Sequence, residues 1–234
     1  METGAAGGKA GAGPEARGLR PLIYAPPAGA PRVLHADAWL VAVEKPAGLL
    51  TVPGRGEGMA DCLAARVAEA FADARVVHRL DLDTSGVCVL ARGAAAQRHL
   101  GLQFERRRVV KRYVAVVAGG PEGEAGRIDA PLAADWPRRP RQRIDPAGRA
   151  AVTDWSVTAR EDGRTRLALA PRTGRSHQLR VHCAASGWPI LGDPIYADEA
   201  AFRAAPRMLL HAETLTIRHP EDGRETTFAA PAPF

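Results

Sequence analysis

Short apolar runs separated by polar turns dominate the chain and predict more strands than helices. Residues 39–44, with the sequence WLVAVE, form one such run, and Lys45-Pro-Ala-Gly48 ends it as a turn. The remaining predicted strands lie at residues 75–78, 86–91, 112–117, 150–159, 164–170, 208–217 and 225–229. Glu161-Asp-Gly163 joins two of them and predicts a hairpin.

Apolar residues recur at helical spacing in three segments, at residues 59–74, 94–106 and 176–185. Gly187 and Pro189 stop the last of them. Residues 119–149 are rich in Gly, Pro and Arg, follow neither period, and are expected to form a long irregular loop.

The order of these elements decides the fold class. Strands often follow each other directly, without the regular alternation of strand and helix that a doubly wound parallel sheet requires. The pattern therefore predicts an α+β fold, with a mixed, mostly antiparallel central sheet flanked by helices and loops. The Gly- and Ala-rich residues 1–20 are expected to form a disordered tail, and residues 21–234 a single domain.

The composition argues against several classes of protein. The 234 residues contain no run of about 18 apolar residues, so no membrane helix is expected. The first residues lack the apolar core of a secretion signal, so no such signal is expected either. Cys62, Cys88 and Cys183 lie far apart without a CxxC pair. This spacing favours reduced thiols in the cytoplasm and argues against a structural zinc site.

A net charge of +6 and an isoelectric point near 9.8 favour an anionic partner, with nucleic acid as the first candidate. A bias in composition is the alternative, because Lys9, Lys45 and Lys111 are the only lysines and every other cationic side chain is arginine. Arginines cluster at residues 106–112 and 138–143. Guanidinium groups bind phosphate through paired hydrogen bonds, although a solvated basic face would look similar in sequence.

The segment HRLDLDTSG, residues 78–86, carries more reactive side chains than an ordinary strand. Asp81 and Asp83 would share one face of a strand, as a metal-binding pair does, but no further ligand with suitable spacing is found. Ser85, His177 and Asp81 would supply the groups of a hydrolase triad, yet the GxSxG turn of such enzymes is absent. A turn in which the hydroxyl groups bond the local backbone is the simpler interpretation.

Two other segments are also chemically rich. Residues 172–182, RTGRSHQLRVH, place Gly174 before a predicted helix, where backbone N–H groups can meet a phosphate. An amphipathic helix with its polar face in water is the alternative. Lys111-Arg-Tyr113 begins a predicted strand, and a tyrosine there is by itself most simply a core residue.

Together and in this order, the motifs resemble the RluA-type RNA pseudouridine synthases over about residues 32–234. The resemblance rests on HRLD and DTSG at 78–86, KRY at 111–113, GRSHQLRVH at 174–182, GDP at 192–194 and LLHA at 209–212. Within the family, KPAGLLTVPG at 45–54 and DWPRRPRQR at 135–143 are similar to the members that modify both tRNA, in the anticodon stem-loop, and 23S ribosomal RNA. An N-terminal S4-type domain, which several relatives carry, is not expected, because residues 1–20 are too short for one.

The resemblance implies that residues 21–234 are a pseudouridine synthase catalytic domain. Such enzymes break the C1′–N1 bond of a uridine, turn the uracil and rejoin it through C5. Asp81 matches the essential carboxylate, Arg180 the cation that pairs with it, and Tyr113 the ring that stacks on the base and is the proposed acceptor of the C5 proton. Arg79 matches the arginine that fills the gap left by the flipped nucleotide. Whether Asp81 attacks C1′ or abstracts a sugar proton stays open.

The resemblance also implies the partners. We expect tRNA and 23S ribosomal RNA as substrates, a monomer, no membrane, and no cofactor or metal, because the reaction is an isomerisation without redox change. The residues expected to bind RNA are Arg79, Arg138, Arg139, Arg141, Arg143, Arg175 and His177. Two departures from the family pattern, Glu44 and Arg112, do not touch the expected chemistry.

Two other functions stay open at this stage. An RNA-binding or RNA-folding factor would keep the fold without catalysis, although it would have no need of the set Asp81, Tyr113 and Arg180. A metal-dependent hydrolase would use Asp81 and Asp83, and a strong chelator would abolish its activity.

Overall fold

The computed structural model describes Arg20 and residues 23–234. Apart from Arg20, the predicted tail lies outside the described residues, and the predicted domain boundary stays a prediction. The strands are Arg32–Ala36 (β1), Leu40–Lys45 (β2), Ala74–Val76 (β3), Ser85–Arg92 (β4), Val110–Ala118 (β5), Ala125–Asp129 (β6), Leu132–Ala134 (β7), Gln142–Ile144 (β8), Val152–Glu161 (β9), Arg164–Pro171 (β10), Leu210–Arg218 (β11) and Glu225–Ala229 (β12). The α-helices are Leu63–Ala70 (α1), Gly93–Glu105 (α2), Gln178–Ala185 (α3) and Glu199–Arg203 (α4).

Ten strands form one sheet in the order β1-β2-β4-β11-β5-β10-β9-β6, with β12 also paired to β11 and β3 to β4. In the described part of the chain, β4 and β11 are the only parallel neighbours in this sheet. The predicted α+β class and the mostly antiparallel sheet are therefore confirmed. None of the described helices is long and apolar enough to cross a membrane.

Strand β4 is buried on both faces and organises half of the core. Its Val87 and Val89 pack with Leu100 of α2 and Phe228 of β12, all buried. The alternate residues Cys88 and Leu90 point to the other face and meet Leu63 and Val67 of α1. Because both faces are covered, this strand reads as a continuous apolar run rather than an alternating one.

Two sequence predictions about the secondary structure were wrong in detail. The helix predicted at 59–74 is shorter, because Cys62 caps its N-terminus and residue 74 already pairs in β3. The segment 119–149 is not irregular: it contains β6, the β7–β8 hairpin and a short 3-10 helix at Trp136–Arg138. Residues 125–129 of this segment form a strand because they pair with β9. Gly126 of this strand lies so close to the Trp155 ring that a Cβ on residue 126 would be only 2.6 Å from it.

The loop of residues 79–84 enters the sheet where β4 meets β11. Gly86 has φ +114, and a Cβ at this position would lie 2.2 Å from the Ala212 carbonyl oxygen. Only glycine permits this close parallel approach. The sequence analysis predicted that the Ser85 hydroxyl bonds the local backbone, and this prediction was wrong. The hydroxyl instead lies 2.8 Å from His211 Nδ1 on the neighbouring strand.

Candidate active site

Asp81 lies on the loop before β4, at a cavity of about 590 Å³. Tyr113 of β5, Arg180 of α3 and His177 line the same cavity, which also receives Arg79 and Arg175. The fold thus gathers residues from the three sequence motifs around one carboxylate, whose side chain is 28% exposed.

Arg180 is fixed by a second carboxylate that lies deeper than Asp81. Its Nε and Nη2 each donate a 2.7 Å hydrogen bond to Asp193, and both side chains are almost fully buried. The backbone N–H groups of Ile195 and Tyr196 donate to the same carboxylate at 2.8 and 3.1 Å. This paired geometry leaves Nη1 of Arg180 directed at Asp81 Oδ2, 3.5 Å away.

Arg180 and Asp193 both remain ionised, because their mutual hydrogen bonds and opposite charges outweigh the effect of burial on each pKa. Burial by itself would raise the pKa of Asp193, but the hydrogen bonds and charge of Arg180 hold it below its usual value. Burial would likewise lower the pKa of Arg180, whereas bonding to Asp193 raises it above its ordinary value. A permanent positive charge therefore faces Asp81.

The loop that carries Asp81 is held from behind by two buried side chains. Lys45, fully buried, donates hydrogen bonds to the carbonyls of Pro46 at 2.9 Å, Leu49 at 2.6 Å and Leu82 at 3.0 Å. All three donors of the ammonium group are satisfied. Burial nevertheless lowers the pKa of Lys45 to about 8.

Thr51 holds the residue before Asp81. Its hydroxyl donates to the Leu80 carbonyl at 2.8 Å and accepts from the Leu80 N–H at 3.2 Å. The backbone on both sides of Asp81 is thus fixed, which limits the movement of its carboxylate.

His78 begins the motif as a structural residue. Its Nε2 accepts a hydrogen bond from the Val89 N–H at 3.0 Å, and its ring stacks on Phe104 with centroids 4.5 Å apart. Burial, aided by the charge of Lys111, lowers the pKa of His78 to about 3. The ring is therefore neutral at physiological pH and ties the start of the loop that carries Asp81 to β4.

One tyrosine, Tyr113, lines the cavity, and a second, Tyr196, contacts the lining residues His177 and Arg180. Burial raises the pKa of Tyr113 well above its usual value, with the charge of Asp81 adding to the effect, so its phenol keeps its proton in the free protein. The Tyr196 hydroxyl accepts from the Gln142 N–H at 2.8 Å and forms a second hydrogen bond with His177 Nδ1 at 2.8 Å. Tyr196 also lies 5.2 Å from the Arg180 guanidinium carbon.

The residues predicted to bind RNA fall into two groups. Arg79, Arg175 and His177 line the cavity, and His177 adopts a left-handed backbone with φ +55. The loop arginines are not among the lining residues of this cavity. Arg138 and Arg143 pair with Asp135 and Asp145 at 2.8 and 2.7 Å, Arg139 stacks 4.2 Å over Trp136, and Arg141 lies 5.3 Å over Tyr196.

The two aspartates of the motif face different spaces. Asp83 lines a second cavity, of about 800 Å³, together with Arg207 and Ser85, whereas Asp81 lines the first. Among the described residues, no group of three or more His, Cys, Asp or Glu is arranged to hold a metal ion. Ser85 pairs with His211 rather than with His177, so the triad considered from sequence is not assembled.

Sequence reasoning missed the supporting residues Asp193, Lys45, Thr51 and Tyr196. A physical signal existed for the first of them. An arginine predicted on a helix that packs against the core needs acceptors for both edges of its guanidinium group, and Asp81 supplies only one. Lys45 was noticed as part of a turn, but its burial depends on contacts with Leu82, distant in sequence.

Comparison with known proteins agrees with this arrangement. Residues 39–185 match the family model described as RNA pseudouridylate synthase. The dual-specificity RNA pseudouridine synthase RluA of Escherichia coli strain K12 is 48% identical over 204 residues, which cover 86% of this chain and 93% of that protein. The protein of the same name from Haemophilus influenzae is 46% identical over the same shares of the two chains.

Solved structures show the same fold. Human RNA pseudouridylate synthase domain containing 1 aligns with a TM-score of 0.74 and 27% identity, covering 87% of this chain and 84% of that one. Human RNA pseudouridylate synthase domain containing 4 aligns with a TM-score of 0.68 and 27% identity, covering 86% and 88%.

Proposed function

The chain belongs to the RNA pseudouridylate synthase family, and from this premise we propose that it isomerises uridines of tRNA and of 23S ribosomal RNA to pseudouridine, with Asp81 as the catalytic carboxylate. The bacterial relatives named for dual specificity support both RNA classes. Such substrates and three buried free thiols also favour a cytoplasmic protein.

One observation carries the assignment of Asp81. Its carboxylate faces Nη1 of a buried arginine whose other edge is bonded to Asp193. A carboxylate that reacts at a sugar carbon or proton inside a closed RNA–protein interface must stay ionised although water is excluded. The fixed charge of Arg180 supplies that stabilisation without any movement.

The neighbouring residues take roles that follow from their positions. We assign Tyr113 to stacking on the flipped uracil, because its ring lines the cavity and its raised pKa favours a protonated phenol before substrate binds. Arg79, exposed at the mouth of the cavity two residues before Asp81, is positioned to occupy the space that the flipped nucleotide leaves. Its planar guanidinium group can stack on the adjacent bases.

The test is the substitution Asp81→Asn, which keeps the shape of the side chain and removes its charge. We expect pseudouridine formation to fall by at least about 10³-fold, since an amide is neither nucleophile nor base. Affinity for RNA should be unchanged or slightly higher. Release of tritium from RNA labelled at uracil C5 measures the reaction, and filter binding measures affinity.

Glu105→Gln is the matched control, because Glu105 is the other carboxylate along this cavity and contacts none of the proposed catalytic groups. It should retain activity. Product formation by Asp81→Asn at the wild-type rate would overturn the assignment. A wild-type protein that binds RNA but forms no pseudouridine would instead favour the RNA-binding factor, and activity on tRNA alone would remove the ribosomal substrate.

A further inference from the structure

Besides Arg79, Arg172 and Arg180, four more cationic residues line the cavity that holds Asp81. They are Arg107, Lys111, Arg149 and Arg175, referred to below as the rim cluster. Arg107 follows α2, Lys111 lies in β5, Arg149 precedes β9, and Arg175 precedes α3. These segments are distant in sequence, so the fold brings the four charges together.

The rim cluster lacks the carboxylate partners that many other arginines of the described chain have. In the described part of the chain, none of its four side chains has a carboxylate oxygen within 4.0 Å; Lys111 and Arg175 bond only the carbonyls of Thr173 and Ala150. By contrast, Arg127 and Arg172 share Asp154 at 2.6 Å each. Glu105 also lines this cavity but forms no ion pair with any of the four among the described residues, so the rim has an excess of positive charge.

The electrostatics of the cluster reflect this excess. Burial lowers the pKa of Lys111, and the charge of Arg107 lowers it further. Burial also lowers the pKa of Arg175, with the charges of Arg149 and Arg107 adding to the effect. Like charges gathered along one cavity repel one another, and an anion bound between them relieves the repulsion.

Arg107 provides an independent observation from the backbone. It has φ +56, in the left-handed region, at the end of α2. Its N–H donates to the Phe104 carbonyl at 3.2 Å, and the next N–H, of Arg108, donates to the Gln103 carbonyl at 2.8 Å. This is the helix-ending motif in which glycine is preferred, because side chains disfavour left-handed backbone. Helix termination would favour glycine here, so the choice of arginine fits a role for its side chain at the rim of the cavity.

We propose that the rim cluster binds a backbone phosphodiester group of the RNA next to the nucleotide that enters the cavity. The proposal rests on the proposed function for the identity of the polyanion. Guanidinium groups match phosphate oxygens with paired hydrogen bonds, and three of the four members are arginines. Fixing a phosphate at the rim would set the position of the flipped uridine above Asp81.

The substitution Arg107→Gly tests the proposal without damaging the fold. Glycine suits the left-handed position, so the melting temperature should stay the same or rise. Affinity for a tRNA anticodon stem-loop should fall about tenfold, and the slope of log K against log salt should become shallower by roughly 0.7 to 0.9, the value for one phosphate contact. Arg108→Ala is the matched control, since it removes a neighbouring exposed charge that does not line the cavity. It should leave the slope nearly unchanged.

A neutral methylphosphonate placed beside the target uridine locates the contact. It should weaken binding to the wild-type protein and have a smaller effect on Arg107→Gly, because each change removes one half of the same interaction. An unchanged affinity and salt slope for Arg107→Gly would overturn the proposal, as would equal losses from the methylphosphonate in both proteins. These binding measurements do not depend on catalysis, so a wild-type protein that forms no pseudouridine would refute the proposed function separately.

Discussion

The neutral ring of His78 makes the protein sensitive to acid in a predictable range. Its Nε2 accepts the Val89 N–H, and a protonated ring would lose that bond. Burial, with the charge of Lys111, lowers the pKa of His78 to about 3, against about 6.5 in the unfolded chain. On acidification the unfolded state therefore binds the proton first. The stability contributed by the neutral ring is present above pH 6.5 and is lost as the pH falls toward 3.

The expected loss follows from these two pKa values. Between pH 7 and pH 5 the free energy of unfolding should fall by about 2 kcal/mol because of His78 alone. The figure hardly changes for any folded-state pKa below about 4, since the unfolded-state value controls this interval. For a domain of this size it corresponds to a decrease of roughly 4–8 °C in melting temperature. The pKa of His177, His182 and His211 is also lowered by burial, so the total for the wild type is larger.

Denaturant unfolding of the wild type and of His78→Gln at pH 7 and pH 5 isolates the contribution. The variant should be less stable at pH 7, because stacking on Phe104 is lost, but it should lose about 2 kcal/mol less than the wild type on going to pH 5. His99→Gln, which removes an exposed histidine, should show the wild-type difference. Equal acid sensitivity of His78→Gln and the wild type would refute the reasoning.

Two further predictions concern the residues that support Asp81, the proposed catalytic carboxylate, and its loop. Lys45→Met should lower the free energy of unfolding by about 3 kcal/mol, because three carbonyls lose their donor. It should also reduce kcat, because the loop that carries Asp81 becomes less rigid. Thermal unfolding and turnover measure the two effects, and an unchanged stability would contradict the supporting role of Lys45. Asp193→Asn should lower stability by about 3–5 kcal/mol, because it leaves Arg180 buried with one charged partner fewer. Its kcat should fall far more than KM changes, and steady-state kinetics with unaltered kcat would exclude a positioning role for Asp193.

Local pattern predicted most strands, because apolar runs and turn residues act over a few positions. It overextended α1, whose end depends on the pairing of residue 74 with β4, and it missed β6, whose sequence has no apolar period and which exists because β9 lies beside it. The contact between Asp81 and Arg180 spans 99 positions and was predicted only through the family resemblance. No local rule relates residues so far apart.

The site uses charge in two different ways, and burial explains the difference. Inside the protein, the ammonium group of Lys45 and each guanidinium nitrogen of Arg180 have hydrogen-bond partners, because an unpaired charge in the interior costs several kcal/mol. At the rim, water screens the charges of Arg107 and Arg149, so they can remain without counterions until RNA arrives. Removing an interior partner should therefore change kcat and stability, whereas removing a rim charge should change affinity and its salt dependence. The two sets of residues are separable by experiment because the fold places them in different dielectric surroundings.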